Sequence, residues 1–402
     1  MKMEASTKRQ IQYTVQEGAG PYRQCVQCIM DTNDDPNITF DEEGVCYYCY
    51  YHAQQAEKLV KHEAEGERLL QATVEKIKAA GTGKKYDCLI GLSGGVDSSY
   101  VAYLVKKLGL RPLCIHFDNG WNSELSVANI HTLVNRLGFD LETYVVNWEE
   151  FKDLQLSYLK ASVIDIEAIT DHAIYGTLFR CALQHNIGFI LGGHNVATEG
   201  ILPYAWTYHK EDDINIRAIH KVFGTKPLKT FPFYGDAMKR RVKRSGLQFI
   251  NFLNWIAYDK DAAKIEMQTA LGWRDYGGKH HESIWTRFYQ SYILLQKFGV
   301  DKRKAHLSSL ICAGQLSREQ SLKSMEQPAY DPALFQTDKA FVLKKLGLSE
   351  RAFTALMAIP VRDHREFDTQ GSLFNHYPVL KPFRTLWQGY KRLRYQQPYL
   401  TR

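Results

Sequence analysis

Apolar residues in the middle of the chain form continuous runs of strand length, separated by stretches with helical spacing. The first run, 88–92, is followed by a helical stretch over 100–108, and a longer helical stretch over 123–137 is ended by Gly138. Strands that alternate with helices of this length predict an α/β fold with a doubly wound parallel sheet, assigned to residues 84–234. The predicted strands are 88–92, 112–117, 140–146 and 189–191.

The segments that flank this domain have different patterns. Residues 235–402 contain helical stretches and many aromatic residues without strand alternation, which predicts a mainly helical region for substrate or partner binding. Residues 53–83 are rich in Glu, Lys, Ala and Leu until Gly81, and this predicts one linking helix. Residues 1–20 have no apolar period and are predicted to be a flexible tail.

Four of the eight cysteines form two C-x2-C pairs that are 17 residues apart. Each pair directs two thiolates at one centre, and two pairs complete the tetrahedral shell of a structural Zn²⁺ with no open position. Iron would accept the same four sulfurs. We therefore predict a zinc ribbon over 21–52 that serves folding and not catalysis, with Cys25, Cys28, Cys46 and Cys49 as its ligands.

The composition of the 402 residues limits the classes of protein that fit. Apolar residues make up 45% and charged residues 24%, as in soluble globular proteins. No apolar run approaches the ~18 residues of a membrane-spanning helix and no signal-peptide pattern is present, so we expect a cytoplasmic protein without membrane insertion. The net charge of +7 suits a phosphorylated ligand and does not demand nucleic acid.

The turn after the first strand carries the most informative motif, Ser-Gly-Gly-Val-Asp-Ser-Ser at 93–99. Its glycines let the backbone approach an anion, and the N–H groups that begin the next helix face that anion. Serine hydroxyls add donors, and Asp97 can orient a donor or hold Mg²⁺. The motif lacks the Lys of the GxxxxGK[ST] loop and resembles the pyrophosphate loop (PP-loop) of N-type ATP pyrophosphatases, which form an adenylate and release pyrophosphate.

Three loops are expected to meet at one edge of the sheet, because each follows the carboxyl end of a parallel strand. These loops are residues 93–99, 116–121 and 192–199. Ligands of doubly wound sheets bind at this edge, so the positions of the loops support an ATP site independently of the motif.

The motifs together resemble the N-acetyl sugar amidotransferase family of bacterial surface-glycan biosynthesis. The resemblance includes the four cysteines, the loop at 93–99, His-Phe-Asp-Asn-Gly-Trp at 116–121, Leu-Gly-Gly-His-Asn at 191–195 and the block at 277–290. It implies that ATP adenylates the amide oxygen of an N-acetyl group on a nucleotide-activated sugar. Ammonia would then displace AMP and leave an acetamidino group, with ATP, Mg²⁺ and structural Zn²⁺ as cofactors.

The resemblance also implies roles for individual residues, with Ser93, Asp97 and Ser98 as the catalytic group. Asp171 can either cap a helix or bind the sugar, and the Lys-His-His-Glu block can either begin a helix or grip sugar phosphates. The ATP-binding residues predicted are Ser93, Gly94, Gly95, Val96, Asp97, Ser98, Ser99, His116, Phe117, Asp118, Gly192 and Gly193. The substrate residues predicted are Asp171, His194, Asn195, Lys279, His280 and His281.

The remaining cysteines do not have the Gly-flanked turn that a glutaminase nucleophile needs. Cys88 and Cys114 lie in predicted strands, and Cys181 and Cys312 also lack the turn, so all four are interpreted as buried small apolar residues. The resemblance therefore implies that a separate class I glutaminase subunit supplies the ammonia.

A tRNA-thiolating enzyme is the main alternative, because some of these enzymes combine a cysteine ribbon with the same pyrophosphate loop. Two features argue against it: the excess of positive charge is small, and no cysteine pair is placed near the catalytic loops to carry sulfur. A non-catalytic scaffold is disfavoured by the intact Ser, Gly and Asp positions of the loop.

Overall fold

A parallel sheet of five strands lies at the centre of the computed structural model, which describes residues 21–278 and 281–370. The strands are β1 (Cys88–Gly91), β2 (Pro112–Asp118), β3 (Asp140–Val145), β4 (Phe189–Leu191) and β5 (Gln248–Ile250). Their order is β3-β2-β1-β4-β5, and every neighbouring pair is parallel. The predicted α/β fold is therefore confirmed, and the first four strands lie within one residue of their predicted bounds. The predicted tail, 1–20, lies outside the described residues.

Helices cover both faces of this sheet and form most of the chain beyond it. A π-helical turn, Tyr289–Ile293, joins two short helices, and 3-10 turns lie at Tyr204–Trp206, Phe252–Trp255 and His364–Glu366. The α-helices are α1 (Tyr47–Leu59), α2 (Glu63–Ala80), α3 (Val96–Lys107), α4 (Glu124–Leu137), α5 (Trp148–Ala161), α6 (Ala168–Gln184), α7 (Val196–Glu199), α8 (Asp213–Phe223), α9 (Asp236–Ser245), α10 (Lys260–Leu271), α11 (Ile284–Phe288), α12 (Leu294–Phe298), α13 (Lys302–Cys312), α14 (Arg318–Met325), α15 (Pro332–Leu346) and α16 (Glu350–Ala358).

Local signals set the bounds of α4. The Ser123 hydroxyl accepts a hydrogen bond of 3.2 Å from the backbone N–H of Ser126, which would otherwise have no partner in the first turn. Gly138 ends the helix in the left-handed region, with φ of +66°. The predicted end of the helix at Gly138 is confirmed. Glycine adopts the left-handed conformation without strain, and it lies where the apolar period ends.

The fifth strand was not predicted. β5 pairs with β4 at the edge of the sheet, and its three residues lie beyond 234, where the predicted sheet domain ends. Three residues are too few to show a period, and the strongly basic helix α9 precedes them. A strand from the region predicted as mainly helical therefore completes the sheet.

The single linking helix predicted over 53–83 is instead two helices. The first, α1, already begins at Tyr47, between two of the cysteines. Residues 60–62 are not helical and separate α1 from α2. Glu63, which follows them, has a φ of +54°. The predicted stop near Gly81 is confirmed, and Val74 and Ile77 of α2 are buried in the core that covers one face of the sheet.

The cysteine segment and the C-terminal helices share one apolar core. Cys25 and Cys49 belong to the same buried cluster as Trp285 in α11, Leu294 in α12 and Phe353 in α16. Within the described residues, none of the helices is long and apolar enough to span a membrane. The described C-terminal helices therefore pack into the fold instead of forming a detached unit.

Candidate functional site

The PP-loop folds as the sequence predicts, as a tight turn between β1 and α3. Gly94 has a φ of +80°, and a Cβ at this position would lie 2.5 Å from the backbone oxygen of Ser126 in α4. Both the backbone conformation and the lack of space therefore require glycine. The turn brings the first N–H groups of α3 to the carboxyl end of β1, where an anion is favoured by the helix dipole.

A cavity of about 190 Å³ opens at this helix terminus. It is smaller than the roughly 300–1,000 Å³ of pockets that enclose a whole drug-sized ligand, so its size suits the phosphate end of a nucleotide. The lining residues come from the PP-loop, the loop after β4, the start of α10 and the segment before α11. They are Ser93, Gly95, Val96, Asp97, Ser98, Gly193, His194, Glu199, Lys260, Tyr276 and Glu282.

Two serines of the PP-loop form a hydrogen-bonded pair at the wall of this cavity. The hydroxyl oxygens of Ser93 and Ser98 are 3.0 Å apart, and the backbone N–H of Gly95 donates to Ser93 Oγ at 3.2 Å. The pair presents hydroxyl donors beside the helix terminus, and such donors can bind an anion. Ser99 is fully buried under the loop and does not line the cavity.

Asp97 is held in place by two residues from other parts of the chain. The hydroxyl of Tyr258 donates to Asp97 Oδ1 at 2.5 Å, and the Asn195 side-chain amide is 3.5 Å from the same oxygen. Burial raises the pKa of Tyr258, and the nearby Asp97 carboxylate raises it further, so the tyrosine remains a donor at neutral pH. Asn195, predicted as a substrate residue, is almost fully buried and also caps α7 through Thr198.

The loop after β4 brings His194 and Glu199 to the cavity. Nδ1 of His194 is in contact with the Glu199 carboxylate, while Nε2 has no hydrogen-bond partner within the described residues. A Cβ at Gly193 would lie 2.9 Å from the backbone carbon of Asp97, so only glycine lets this loop approach α3 so closely. His194 and Gly193 therefore both line the cavity.

Sequence reasoning missed Tyr258, Lys260 and Tyr276. The backbone N–H of Val96, the first residue of α3, donates to the hydroxyl of Tyr276 at 2.9 Å. Burial raises the pKa of Tyr276, and the nearby Glu282 carboxylate raises it further. These residues come from a region without strand alternation, so no sequence pattern predicts that they lie beside the PP-loop.

Four predicted ATP-binding residues outside the PP-loop do not line the cavity. His116 is buried, with Nδ1 bonded to the Leu92 carbonyl at 2.9 Å, and burial lowers its pKa. Asp118 accepts from the backbone N–H of Gly120 at 2.8 Å. Phe117 stacks on Tyr144, while Gly192 packs against Phe249 and Asn251 of the β5 segment, where a Cβ would clash.

The remaining predicted substrate residues lie apart from the cavity lining. Asp171, in the first turn of α6, is 3.1 Å from the ammonium of Lys210, which also pairs with the buried Asp165. His281 accepts a hydrogen bond of 3.2 Å from the backbone N–H of Gly278 through Nδ1. Lys279 and His280 lie outside the described residues.

The four predicted metal ligands meet at one buried centre, and their sulfur atoms all lie within 4.8 Å of one another. The Sγ–Sγ distances are 3.7 Å for Cys25 and Cys49, 3.5 Å for Cys28 and Cys46, and 3.8 Å for Cys46 and Cys49. A tetrahedral zinc with bonds of about 2.3 Å separates its sulfurs by about 3.8 Å, so the spacing fits one such ion. His52, three residues after Cys49, does not join this group; its buried ring forms a hydrogen bond of 3.1 Å with the Val196 carbonyl.

The other free cysteines are not all buried apolar residues as predicted. Cys88, Cys114 and Cys181 are buried, but Cys312 is only partly buried and its Sγ lies 3.7 Å from Cys49 Sγ. A fifth thiol thus contacts the four-cysteine centre. No sequence pattern predicts this contact, because 262 residues separate the two cysteines in the chain.

Solved structures that overlap with this chain include the following three, each with a low TM-score. The NH3-dependent NAD synthetase from Campylobacter jejuni subsp. jejuni is 13% identical, covering 71% of this chain and 97% of that one, with a TM-score of 0.28. NMN synthetase from Francisella tularensis is 14% identical, with coverages of 58% and 95% and a TM-score of 0.26. The U34-tRNA thiolase NcsA from Methanococcus maripaludis is 13% identical, with coverages of 76% and 88% and a TM-score of 0.30.

Family models match two separate regions of the sequence. Among curated proteins, none is significantly similar to the chain. The NAD synthase model matches residues 66–226, which include the PP-loop and strands β1 to β4. The model described as "LPS biosynthesis protein WbpG-like, C-terminal domain" matches residues 282–381. The chain thus joins an NAD synthase-like region to a region similar to the C-terminal domain of LPS biosynthesis proteins.

Proposed function

We propose that this protein is an ATP-dependent amidotransferase that converts the N-acetyl group of a nucleotide-activated sugar to an acetamidino group. The amide oxygen attacks the α-phosphorus of ATP and pyrophosphate leaves. Ammonia then attacks the amide carbon, the C–O bond breaks and AMP leaves. Activation is necessary because an amide oxygen is a poor leaving group, whereas AMP is a good one.

The position of Glu282 is the observation that carries this proposal. Glu282 is the first residue of the LPS biosynthesis-like region, and its carboxylate lies beside the PP-loop of the NAD synthase-like region. A Cβ on Gly95 would lie only 3.1 Å from Glu282 Oε1. The two regions therefore build one cavity, which supports a reaction between ATP and a glycan precursor.

Backbone hydrogen bonds hold the two regions together next to this cavity. The N–H of Ser123 donates to the Glu282 carbonyl at 2.8 Å, and the N–H of Ile284 donates to the Trp121 carbonyl at 2.8 Å. The junction lies at Glu282, in the described part of the Lys-His-His-Glu block. We infer that Glu282 approaches the sugar nucleotide, while adenosine extends from the cavity towards Phe117 and Asp118 at the end of β2.

The cavity has the groups needed to bind a pyrophosphate with Mg²⁺. The hydroxyls of Ser93 and Ser98 and the N-terminus of α3 suit an anion, and Lys260 adds positive charge. Asp97 and Glu199 are carboxylates at the same wall, and Mg²⁺ is typically held by one or two carboxylates together with substrate phosphates. The ion would neutralise charge on the departing pyrophosphate.

The cavity lining favours amide chemistry over thiolation. None of the described lining residues is a cysteine, and the four-cysteine centre has the spacing of a closed mononuclear site. A sulfur-transferring enzyme needs a sulfur carrier at the adenylated atom. The ammonia, in contrast, can come from a separate glutaminase, which we propose as a partner.

Mass spectrometry of the sugar product tests the proposed reaction. UDP- and CMP-linked N-acetyl sugars are incubated with the protein, ATP, Mg²⁺ and ammonium, and the product should have lost oxygen and gained NH. Asp97→Asn should abolish this product, while Asp236→Asn, an exposed change in α9, should leave it unchanged. Thiolated bulk tRNA in a parallel reaction would instead support the alternative function.

A further inference from the structure

Cys312 differs from the four cysteines that it adjoins. The sulfur atoms of Cys25, Cys28, Cys46 and Cys49 already provide a complete tetrahedral shell, so Cys312 is a thiol beyond the ligand set. It lies at the last residue of α13, and its Sγ is 3.7 Å from Cys49 Sγ. A disulfide requires about 2.05 Å, so a small approach of the two sulfurs would join them.

Accessibility also separates Cys312 from its neighbours. The four ligand cysteines are at most 3% exposed, whereas Cys312 is only partly buried. A metal ion further occupies the reactive lone pairs of bound thiolates. Of the five cysteines at this centre, Cys312 is therefore the one that is most open to an oxidant from solvent.

We propose that Cys312 is a redox-active thiol through which a hydroperoxide opens the four-cysteine metal site. The Cys312 thiolate attacks the peroxide, so that an S–O bond forms, the O–O bond breaks and one water or alcohol leaves. The Cys49 thiolate then attacks the Cys312 sulfenic sulfur, forming the S–S bond and releasing the second oxygen as water. The peroxide gains two electrons, the two sulfurs lose them, and the metal keeps only three protein ligands.

The metal site and the ATP cavity are linked by hydrogen bonds along two paths. On one path, His52 of α1 contacts the carbonyl of Val196, where α7 begins, and α7 carries Glu199 to the cavity. On the other, Gln315, three residues after Cys312, donates to the Tyr258 carbonyl at 2.7 Å, and Tyr258 holds Asp97. Opening of the metal site would therefore loosen the side chains that line the cavity.

Zinc release under peroxide tests this proposal independently of the amidotransferase reaction. Zinc-loaded protein is treated with hydrogen peroxide while a chromogenic chelator reports free Zn²⁺, and non-reducing peptide mapping identifies the disulfide. We expect the wild type to release zinc with a Cys49–Cys312 disulfide. Cys312→Ser should release zinc at least about tenfold more slowly, because the accessible thiol is gone.

Cys181→Ser is the matched control, because Cys181 is another free cysteine, and it should behave as the wild type. Equal release from Cys312→Ser, a disulfide between other cysteines, or protein that binds no zinc would overturn the proposal. Limited alkylation of the zinc-loaded wild type gives a second readout that needs no variant. Cys312 should be modified first, and earlier modification of one of the four ligand cysteines would contradict its assignment as the accessible thiol.

Discussion

The hydroxyl of Tyr258 donates a hydrogen bond of 2.5 Å to Oδ1 of Asp97, although 161 positions separate the two residues in the chain. The bond fixes the orientation of the one acidic side chain of the PP-loop. Burial keeps the tyrosine protonated by raising its pKa, so the carboxylate has a permanent donor at neutral pH. Asp97 also lines the cavity, where a cation or a ligand hydroxyl can meet its carboxylate.

Tyr258→Phe should therefore lower turnover more than it lowers stability. Loss of a hydrogen bond to a charged group costs about 1.5–3 kcal/mol, which corresponds to a decrease in kcat of about ten- to a hundredfold if Asp97 must be oriented. Steady-state kinetics with ATP measures the change. Tyr100→Phe is the control, because its hydroxyl also donates to a carboxylate, that of Glu266 at 2.9 Å, outside the cavity. Equal effects of both variants would contradict an orienting role for Tyr258.

Gly193→Ala should displace the loop after β4 from the PP-loop. The added Cβ would lie 2.9 Å from the backbone carbon of Asp97, and misplacement by about 1 Å can cost about a hundredfold in rate. We expect activity to fall by at least about tenfold and ATP binding to weaken, measured by kinetics and calorimetry. Gly188→Ala is the control, since a Cβ there meets nothing within 4 Å. Full activity of Gly193→Ala would show that the close approach does not matter.

Two buried histidines should make the fold less stable in acid. Burial lowers the pKa of His172 and of His364 from 6.5 to about 4. The unfolded chain then binds protons before the folded chain does, so the free energy of unfolding falls as the pH drops from 6.5 to about 4 and the loss levels off below that. Each histidine contributes up to about 3 kcal/mol to this fall.

Urea unfolding at several pH values between 7 and 4 measures the effect of these histidines. His364→Gln should reduce the slope of stability against pH, because one proton fewer is taken up on unfolding. An unchanged slope in this variant would mean that His364 titrates equally in both states.

Ammonium salts should support turnover by the purified chain, whereas glutamine alone should not. The free cysteines Cys88, Cys114 and Cys181 are buried, Cys312 adjoins the four-cysteine centre, and none of them lines the cavity. AMP release with each nitrogen source measures this difference. Glutamine-driven turnover without any added protein would refute the need for a glutaminase partner.

Short-range signals explain why much of the fold could be predicted. Ser123 and Gly138 stand at the two ends of α4 because a cap and a left-handed residue are needed there, and such needs are visible in a few neighbouring residues. The same holds for the PP-loop and for the paired cysteines. In contrast, β5 has only three residues, and it is a strand because its backbone pairs with β4.

The side chains that complete the site could not be predicted for a related reason. Tyr258 and Tyr276 contact the PP-loop through tertiary packing. Their neighbours in the sequence do not predict a contact with a loop more than 150 residues away. Gly192 was predicted to let a nucleotide approach, yet the nearest atoms around it belong to Phe249 and Asn251. A glycine is needed both where two segments of the chain approach closely and where a ligand approaches the backbone. The sequence alone does not distinguish these two cases.

Isotope transfer tests the proposed adenylation most directly. The acetyl oxygen of the sugar nucleotide is labelled with the heavy isotope of oxygen, and the products of the reaction with ATP and ammonium are analysed by mass spectrometry. If the amide oxygen attacks the α-phosphorus at the PP-loop, the label appears in AMP, in equal amount to the acetamidino product, and none is found in pyrophosphate. Formation of ADP, or AMP without label, would contradict the account.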